Sequence, residues 1–362
     1  MKILTKYILK EIMGPLFFAL FAFTSMFSGV TFLSILKHAE RYHLSFWYVL
    51  QMLFARMPEY IVQAAPIAVL MATLLGLGKL TSHSETIAMR SGGLNYFRLV
   101  LPVIIIGTVV SISGVLMNQY LVPLGLKAYY NVKSEASKAE KSVVLYNFSK
   151  DFYDTDTGQI DKRVYAARFD SKTQELHQVT IEEFEDQKLI RVITTEVMSW
   201  DGQGWFFRDG LIYQLGEESF YPITVKKGFV KYDLSITPKE IDEDTEDADR
   251  KSITELREFI DKYYPKGSER QRLLVDYHLK FAVPFAALIL AWLGAPLALR
   301  PQRRSNAAGF GLCIVFILLW YSFMGIGSYM ARAGVIPPVI GAWLPNILLA
   351  GYGVYLSVNV KI

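Results

Sequence analysis

Six apolar runs organise this chain, at about Pro15–Leu36, Tyr48–Leu77, Leu99–Leu124, Asp276–Leu299, Ala307–Met330 and Val335–Val360. A bilayer's hydrocarbon core is about 30 Å thick and takes roughly 20 residues of helix. Backbone in lipid must bond to itself. Each run therefore predicts a membrane-spanning helix. The third, fifth and sixth carry no charge, whereas the second holds Arg56 and Glu59 near its start, which require an interface or a partner there. The basic start MKILTKYILK precedes a run too long for the apolar part of a signal peptide, and no small-residue cleavage pattern ends it, so a retained first span is expected.

Between the third and fourth runs the period changes from helical to two. VYAARF, QVTIEEF, LIRVITTEV, GWFFRD and GLIYQL alternate apolar and polar positions, separated by the turn signals FDSKT, EDQK, WDGQG and RDG. Short strands at this spacing predict consecutive hairpins in a sandwich or jelly roll. Its apolar interior is either a filled core or an open one that holds acyl chains; periodicity fits both. An acidic turn, KEIDEDTEDADRK, follows and reads as a solvated linker, its spacing unlike an EF-hand. Ser252-Ile-Thr-Glu255 then has the capping-box pattern and opens a short helix to about Tyr264, and Ser268-Glu-Arg-Gln271 repeats the pattern ahead of span four.

The predicted fold class is thus a polytopic α-helical membrane protein of six transmembrane helices with an inserted all-β, jelly-roll-like domain. Residues 1–124 carry spans one to three, residues 125–270 the inserted domain, and residues 271–362 spans four to six. Lys2, Lys6, Lys10, Lys79, Arg90, Arg98, Arg300, Arg303, Arg304 and Lys361 fall on one side of the membrane, against Lys37, Arg41 and Arg332 in the short loops of the other. The positive-inside rule makes the first side cytoplasmic and the β domain periplasmic.

Composition agrees: 52% hydrophobic and 14% aromatic residues in 362 do not suit one soluble domain, and a net charge of +4 says little about nucleic acid. The single cysteine, Cys313, lies in an apolar run and reads as a small hydrophobe. Walker, nucleophile-elbow, His-Glu-x-x-His and CxxC motifs are missing, so enzymatic chemistry has no carrier in the sequence. Asp276 and Lys280, spaced i,i+4, are expected to pair. Spans one, three, five and six hold no buried ionisable groups for a proton relay, which argues against proton-driven transport.

One segment resists the membrane reading. KLTSHSETIAMRSGG, Lys79–Gly93, is a polar helical pattern between spans two and three. It fits a coupling helix that docks on an ATPase, and it fits a helix lying at the headgroups with Arg90 on anionic lipid. The string LGLGKLTSHSETIAMRSGGL resembles the S-E-x-x-x-M-x-x-x-G segment of the lipopolysaccharide-export permeases of the LptF/LptG (YjgP/YjgQ) family. TKYILKE at Thr5, MPEYIVQAAPIAVLMATLLGLGKL at Met57 and GVIPPVIGAWLPN at Gly334 are similar to that family's amino terminus, second span and sixth-span opening.

The resemblance implies a permease subunit paired with a related permease, or with a second copy of itself, on two copies of a cytoplasmic ABC ATPase, with ATP and magnesium held by that partner. It implies extraction of lipopolysaccharide from the inner membrane and its transfer to a periplasmic bridge of jelly rolls. It makes Glu85 the coupling acid, with Ser84, Met89, Arg90 and Gly92 in the docking surface. A lipid A site needs cations at the outer interface above apolar walls. Lys37, Arg41 and Arg332 are placed for phosphate contact and Phe18, Phe21, Phe32 and Phe316 for walls, around the family's lateral gate between spans one and five; snorkelling and ordinary packing explain the same residues. The rival readings are another ABC-type membrane subunit, moving lipoprotein or signalling, and a sensory or structural membrane protein.

Overall fold

The computed structural model describes residues 2–41, 44–137, 144–153, 160–170, 173–185, 188–215, 220–224, 229–234, 236–238, 241, 248–264, 266–299 and 306–359. It divides into a helical unit (Met1–Val132, Ala248–Ile260 and Gln271–Ile362) and a β unit (Lys133–Asp247 and Asp261–Arg270). Among the described residues six helices are long and apolar enough to cross a membrane.

In the helical unit α1 covers Lys2–Arg41, α2 Phe46–Ser82, α3 Glu85–Ser91 and α4 Tyr96–Leu116. A π-helical turn at Met117–Leu121 leads into α5, Val122–Ser137. After the strands come α6, Ile253–Tyr263, then α7, Ser268–Ala298, α8, Asn306–Arg332, and α9, Pro338–Val358. The first two helices overrun their apolar runs at both ends, because hydropathy marks the lipid-contacting length and not where backbone hydrogen bonding stops, whereas the last helix, Pro338–Val358, lies within its expected run. The expected helix start at Ser268 is observed.

Span two tolerates its charges by pairing them: Arg56 donates to Glu59 at 2.8 Å, Gln63 donates to the other Glu59 oxygen at 3.2 Å, and the guanidinium lies 5.2 Å from the Tyr129 ring centre. The expected pair within span four does not form. Asp276 instead accepts a hydrogen bond from Arg332 at 2.6 Å, while Lys280 Nζ reaches the Asp249 carbonyl at 3.4 Å. An i,i+4 pair on one helix is worth only about 0.2–0.5 kcal/mol, and a guanidinium on a neighbouring helix makes a shorter charge-assisted bond.

Pro284 lies inside α7, and proline has no N–H to give the carbonyl four residues back. That carbonyl belongs to Lys280, and Asn118, in the π-helical turn, donates to it at 2.7 Å. Ser111 Oγ accepts the Leu288 N–H at 3.2 Å, and Asn346 donates to the Ala282 carbonyl at 2.7 Å while accepting from Trp320 Nε1 at 3.1 Å. Asn118 thus satisfies the carbonyl that the proline leaves without its usual donor, and Ser111 and Asn346 bond to α7 backbone on either side of it. Close approach comes from small residues: a Cβ at Gly107 would sit 2.8 Å from Ala291 Cβ, and one at Gly114 2.9 Å from Pro284 Cβ.

Helix α6 begins with both bonds of its capping box. Glu255 accepts from the Ser252 N–H at 2.7 Å, and Ser252 Oγ accepts from the Glu255 N–H at 3.2 Å. The bond from the Ser252 N–H, helped by Lys127 at 3.1 Å, holds the Glu255 carboxyl below the ordinary glutamate range. A lowered native value means that the contribution is complete above the unfolded value of about 4.3 and fades as pH falls through the native one. Glu255→Ala is therefore expected to cost about 1 kcal/mol at pH 7. The penalty should shrink towards zero as pH drops below about 4, as denaturant melts of both proteins across pH would show.

The β unit is a meander. Strands β1 (Val144–Tyr153), β2 (Ile160–Asp170), β3 (Glu175–Glu185), β4 (Lys188–Trp200), β5 (Trp205–Leu215) and β6 (Phe220–Thr224) pair antiparallel in chain order. β7 (Phe229–Tyr232) pairs with the Trp205–Arg208 end of β5, leaving the Leu211–Leu215 end to β6. The hairpin order is the one the turn signals predict.

A bend line that the alternation did not announce crosses this sheet. Pairing passes from Ala166↔Val179 directly to Arg168↔His177, from His177↔Val197 to Val179↔Thr195, and from Thr195↔Gly210 to Val197↔Arg208. Ala167, Gln178, Glu196 and Asp209 are the residues passed over, and Gln178 and Asp209 have left-handed φ of 50° and 52°. Skipping one residue per strand reverses which parity faces inward. Val164 and Ala166 are buried before the line and Phe169 after it; Leu176 before it and Val179 and Ile181 after it on β3; Ile193 before it and Met198 after it on β4. All belong to one core, so both halves of one bent sheet turn their apolar sides into a shared interior. Leu234, Ile236 and Ile241 fill that interior further, and Trp205 Nε1 donates to the Ile236 carbonyl at 2.6 Å. Of the two readings of the interior, the described residues carry the filled one.

Left-handed backbone costs a non-glycine residue about 1–2 kcal/mol. Gln178 is exposed, so little packing offsets that cost. Gln178→Gly is expected to raise the melting temperature of the β unit, worth up to about 1 kcal/mol after glycine's own entropy loss.

Candidate functional site

The segment between spans two and three is two elements and not one helix. α2 runs on to Ser82, the chain breaks at Ser84 with φ of 60°, and α3 is Glu85–Ser91 only. The break is what lets Glu85 stand at a helix start, where an acid suits the exposed N–H groups. The far end closes as a Schellman turn: the Leu94 N–H reaches the Met89 carbonyl at 3.2 Å and the Gly93 N–H the Arg90 carbonyl at 2.8 Å. The left-handed residue of that turn is Gly93, φ 90°, so the glycine requirement falls there and not on Gly92, whose φ is −75°.

Of the residues singled out in this segment, Ser84 and Gly92 are exposed and Glu85 is partly so, whereas Met89 packs against the helical core together with Leu94 and Tyr96. Met89 thus holds α3 to its own bundle. Thr86 is 4% exposed and plays the same part, unnoticed in the sequence because a threonine in a polar stretch reads as surface. Arg90, Ile87, Ser91, Thr81, Thr86, Leu99 and Leu299 surround an apolar cavity of about 320 Å³ beside α3.

The acid itself is already held. Tyr7 Oη donates to Glu85 Oε2 at 2.9 Å, and His83 Nδ1 lies 3.8 Å from Glu85 Oε1. One turn along α1, Glu11 accepts from Lys79 Nζ at 2.8 Å. No spacing rule links Tyr7 to Glu85, which is why the sequence concealed the contact; the TKYILKE string was the only pointer to the region.

The candidate lipid residues are more dispersed. Lys37 is exposed near the end of α1, and the side chain of Arg41 lies outside the described residues. Arg332 is bonded to Asp276, so its guanidinium is shared with a carboxylate. Phe18 and Phe21 are 66% and 75% exposed and face away from the bundle, as walls or lipid-contacting residues would. Phe32 packs partly buried with Ile35, Met52 and Tyr129. Phe316 is 7% exposed, its ring 6.2 Å from that of Tyr352, so it serves the chain's own core and not an open wall.

The profile of the family described as "Lipopolysaccharide export system permease LptF/LptG" matches residues 6–359. The chain is 19% identical to the lipopolysaccharide export system permease protein LptG of Haemophilus influenzae, over 95% of each chain. It is 21% identical to the protein of the same name from Escherichia coli K12, over 95% of this chain and 94% of that one. A match over nearly all of the chain, together with six membrane-length helices and an inserted antiparallel sheet, places this protein in the LptF/LptG family of lipopolysaccharide export permeases.

Proposed function

We propose that this chain is the permease subunit through which a separate cytoplasmic ABC ATPase drives lipopolysaccharide out of the inner membrane. The single observation that carries the coupling part is α3: a short helix between spans two and three, anchored inward by Thr86 and Met89, that presents Glu85 at its start beside exposed Ser84. An acid fixed in this way suits a basic groove on a partner, since a carboxylate held by hydrogen bonds loses little side-chain freedom on docking.

In this reading the nucleotide and its magnesium ion sit on the ATPase, and this chain's residues transmit movement. A second related permease, or a second copy, completes the membrane channel, and a periplasmic jelly-roll bridge receives the lipid. Both termini and α3 are cytoplasmic and the β unit periplasmic, which the Lys and Arg distribution supports. Lys37, with Arg41 and the Asp276-paired Arg332, meets lipid phosphates at the outer interface, and Phe18, Phe21 and Phe32 line the acyl path. Closure of the ATPase moves the lipid only if the lipid binds the two permease states unequally.

The test is ATP-dependent release of lipopolysaccharide from proteoliposomes holding the assembled complex. Release is expected for the wild type, and a Lys37→Ala/Arg41→Ala double variant is expected to release several-fold less. Wild-type release without ATP would sink the transport reading; undiminished release by the double variant would move the phosphate site elsewhere.

A further inference from the structure

The first span is tied by side-chain bonds at its amino-terminal end and is one-sided along the rest, with Ala19, Ile35 and Ala39 buried and the opposite face bare. Ile8 and Ile12 are each 1% exposed, whereas Phe17, Phe21, Met26 and Val30 are between 57% and 75% exposed. The bound end lies tightly against α2: a Cβ at Gly76 would stand 2.9 Å from an Ile12 side-chain carbon and 3.1 Å from Ile12 Cα. Residues 7, 8, 11 and 12 share one helix face. On that face Ile8 and Ile12 give the apolar contact, and Tyr7 and Glu11 give two polar ties.

The two ties go to different elements. Glu11 holds Lys79, in the last turn of α2, at 2.8 Å, and Tyr7 holds Glu85, the first residue of α3, at 2.9 Å. Between Lys79 and Glu85 lies the joint at Ser84, whose left-handed φ marks the break. The amino-terminal end of α1 therefore bridges the α2–α3 joint from outside. Two attachment points one turn apart resist rotation of α1 about its own axis, which a single contact would not. α1 is 40 residues long, about 60 Å at roughly 1.5 Å per residue, and its far end packs through Ile35 and Ala39 with Val49, Met52 and Tyr129, so movement at the tied end is carried across the span to that contact.

We propose that Tyr7 and Glu11 are positioning residues that fasten the first span to the coupling segment, so that displacement of α3 by its partner is delivered to α1 as a tilt. The proposal rests on the reading of α3 as the ATPase-docking helix and adds the path by which docking reaches a membrane span. Tyr7 also orients the Glu85 carboxylate: its hydroxyl occupies Oε2 and leaves the other oxygen towards His83 and the surface.

The experiment uses the complete complex, this chain with its ATPase and companion permease, in proteoliposomes loaded with lipopolysaccharide. The readout is lipopolysaccharide released per ATP hydrolysed, together with the amount of ATPase retained on purification. Loss of folded protein lowers release and hydrolysis together and leaves the ratio unmoved, so the ratio isolates positioning from stability.

Tyr7→Phe, Glu11→Lys and Lys79→Glu are each expected to retain the ATPase and to lower the ratio about fivefold or more, the lower end of ordinary coupling energies. The reciprocal pair Glu11→Lys/Lys79→Glu is expected to return it to within about twofold of wild type, since the ion pair re-forms with its ends exchanged. An unchanged ratio in Tyr7→Phe, or a double reversal as impaired as the single ones, overturns the proposal. Loss of the ATPase from Tyr7→Phe as complete as that expected of Glu85→Arg also overturns it, because Tyr7 would then belong to the docking surface. Glu85→Arg separates the two levels: ATPase retained by that variant refutes the docking reading itself, whatever the ratio in Tyr7→Phe.

Discussion

Glu85→Arg should strip the ABC ATPase from the purified protein while leaving the permease folded. Three effects act together. The substitution places a cation at a helix start, where the exposed N–H groups favour an anion. It removes the acceptor for the Tyr7 hydroxyl, 2.9 Å away, and puts a positive charge beside His83. On the proposed docking it also presents a like charge to a basic groove of the ATPase, and like-charge contact across an interface costs several kcal/mol. The folding cost is far smaller, because Glu85 is partly exposed and α3 keeps its inward anchors Thr86 and Met89 and its Schellman turn. Pull-down of the ATPase with wild type and variant, alongside the thermal melt of each, checks both halves. Glu85→Gln, which keeps an acceptor for Tyr7, should retain more ATPase than Glu85→Arg.

Trp205→Ala should unfold the β unit well below the wild-type melting temperature. Trp205 is fully buried at the start of β5, packs edge-on to Trp200 at 5.5 Å, and closes on the Ile236 carbonyl at 2.6 Å. Truncation of a buried aromatic costs about 3–5 kcal/mol. Leaving a buried carbonyl without its donor adds roughly 1–3 kcal/mol where water does not replace it. The loss is concentrated where Leu234, Ile236 and Ile241 cover the sheet, so amide exchange should accelerate first in that segment and in β5 and β7. Trp205→Phe keeps most of the burial and removes the indole N–H, so it is expected to cost roughly 1–2 kcal/mol. If instead the two variants melt alike, the hydrogen bond and not the packing holds the segment in place.

The parts of this fold that were legible in the sequence are those set by one element at a time. Apolar length gave the spans, period-two alternation between turn residues gave the hairpins, and Ser252 with Glu255 gave the start of α6. What stayed hidden depends on two elements meeting. Asp276 chose Arg332, 56 residues away, over Lys280 on its own helix, because a guanidinium from the neighbouring span offers the better bond. Nothing local in the third run marks Asn118, whose bond to the Lys280 carbonyl is explained only by Pro284 on another helix. The bend line through Gln178 and Asp209 needs the partner strand to be seen, since each strand alone still alternates on either side of it.

The site divides the same way. Glu85 could be singled out from its motif, but the motif spread over Lys79–Gly93 as if one helix, and only backbone geometry put the break at Ser84. Met89 shared the motif yet turned inward, and Gly92 yielded the left-handed position to Gly93. Tyr7 and Glu11 lie 78 and 68 residues from their partners, beyond the reach of any local pattern. Phe316 shows the converse: an aromatic in a span reads equally as wall or core, and packing against Tyr352 decides for core.

The most direct test of the central claim is to purify the wild-type protein gently from native membranes and identify by mass spectrometry what accompanies it. The account predicts an ABC-type ATPase together with bound lipopolysaccharide. Recovery of the folded protein with neither, under conditions that preserve other membrane complexes, would contradict it.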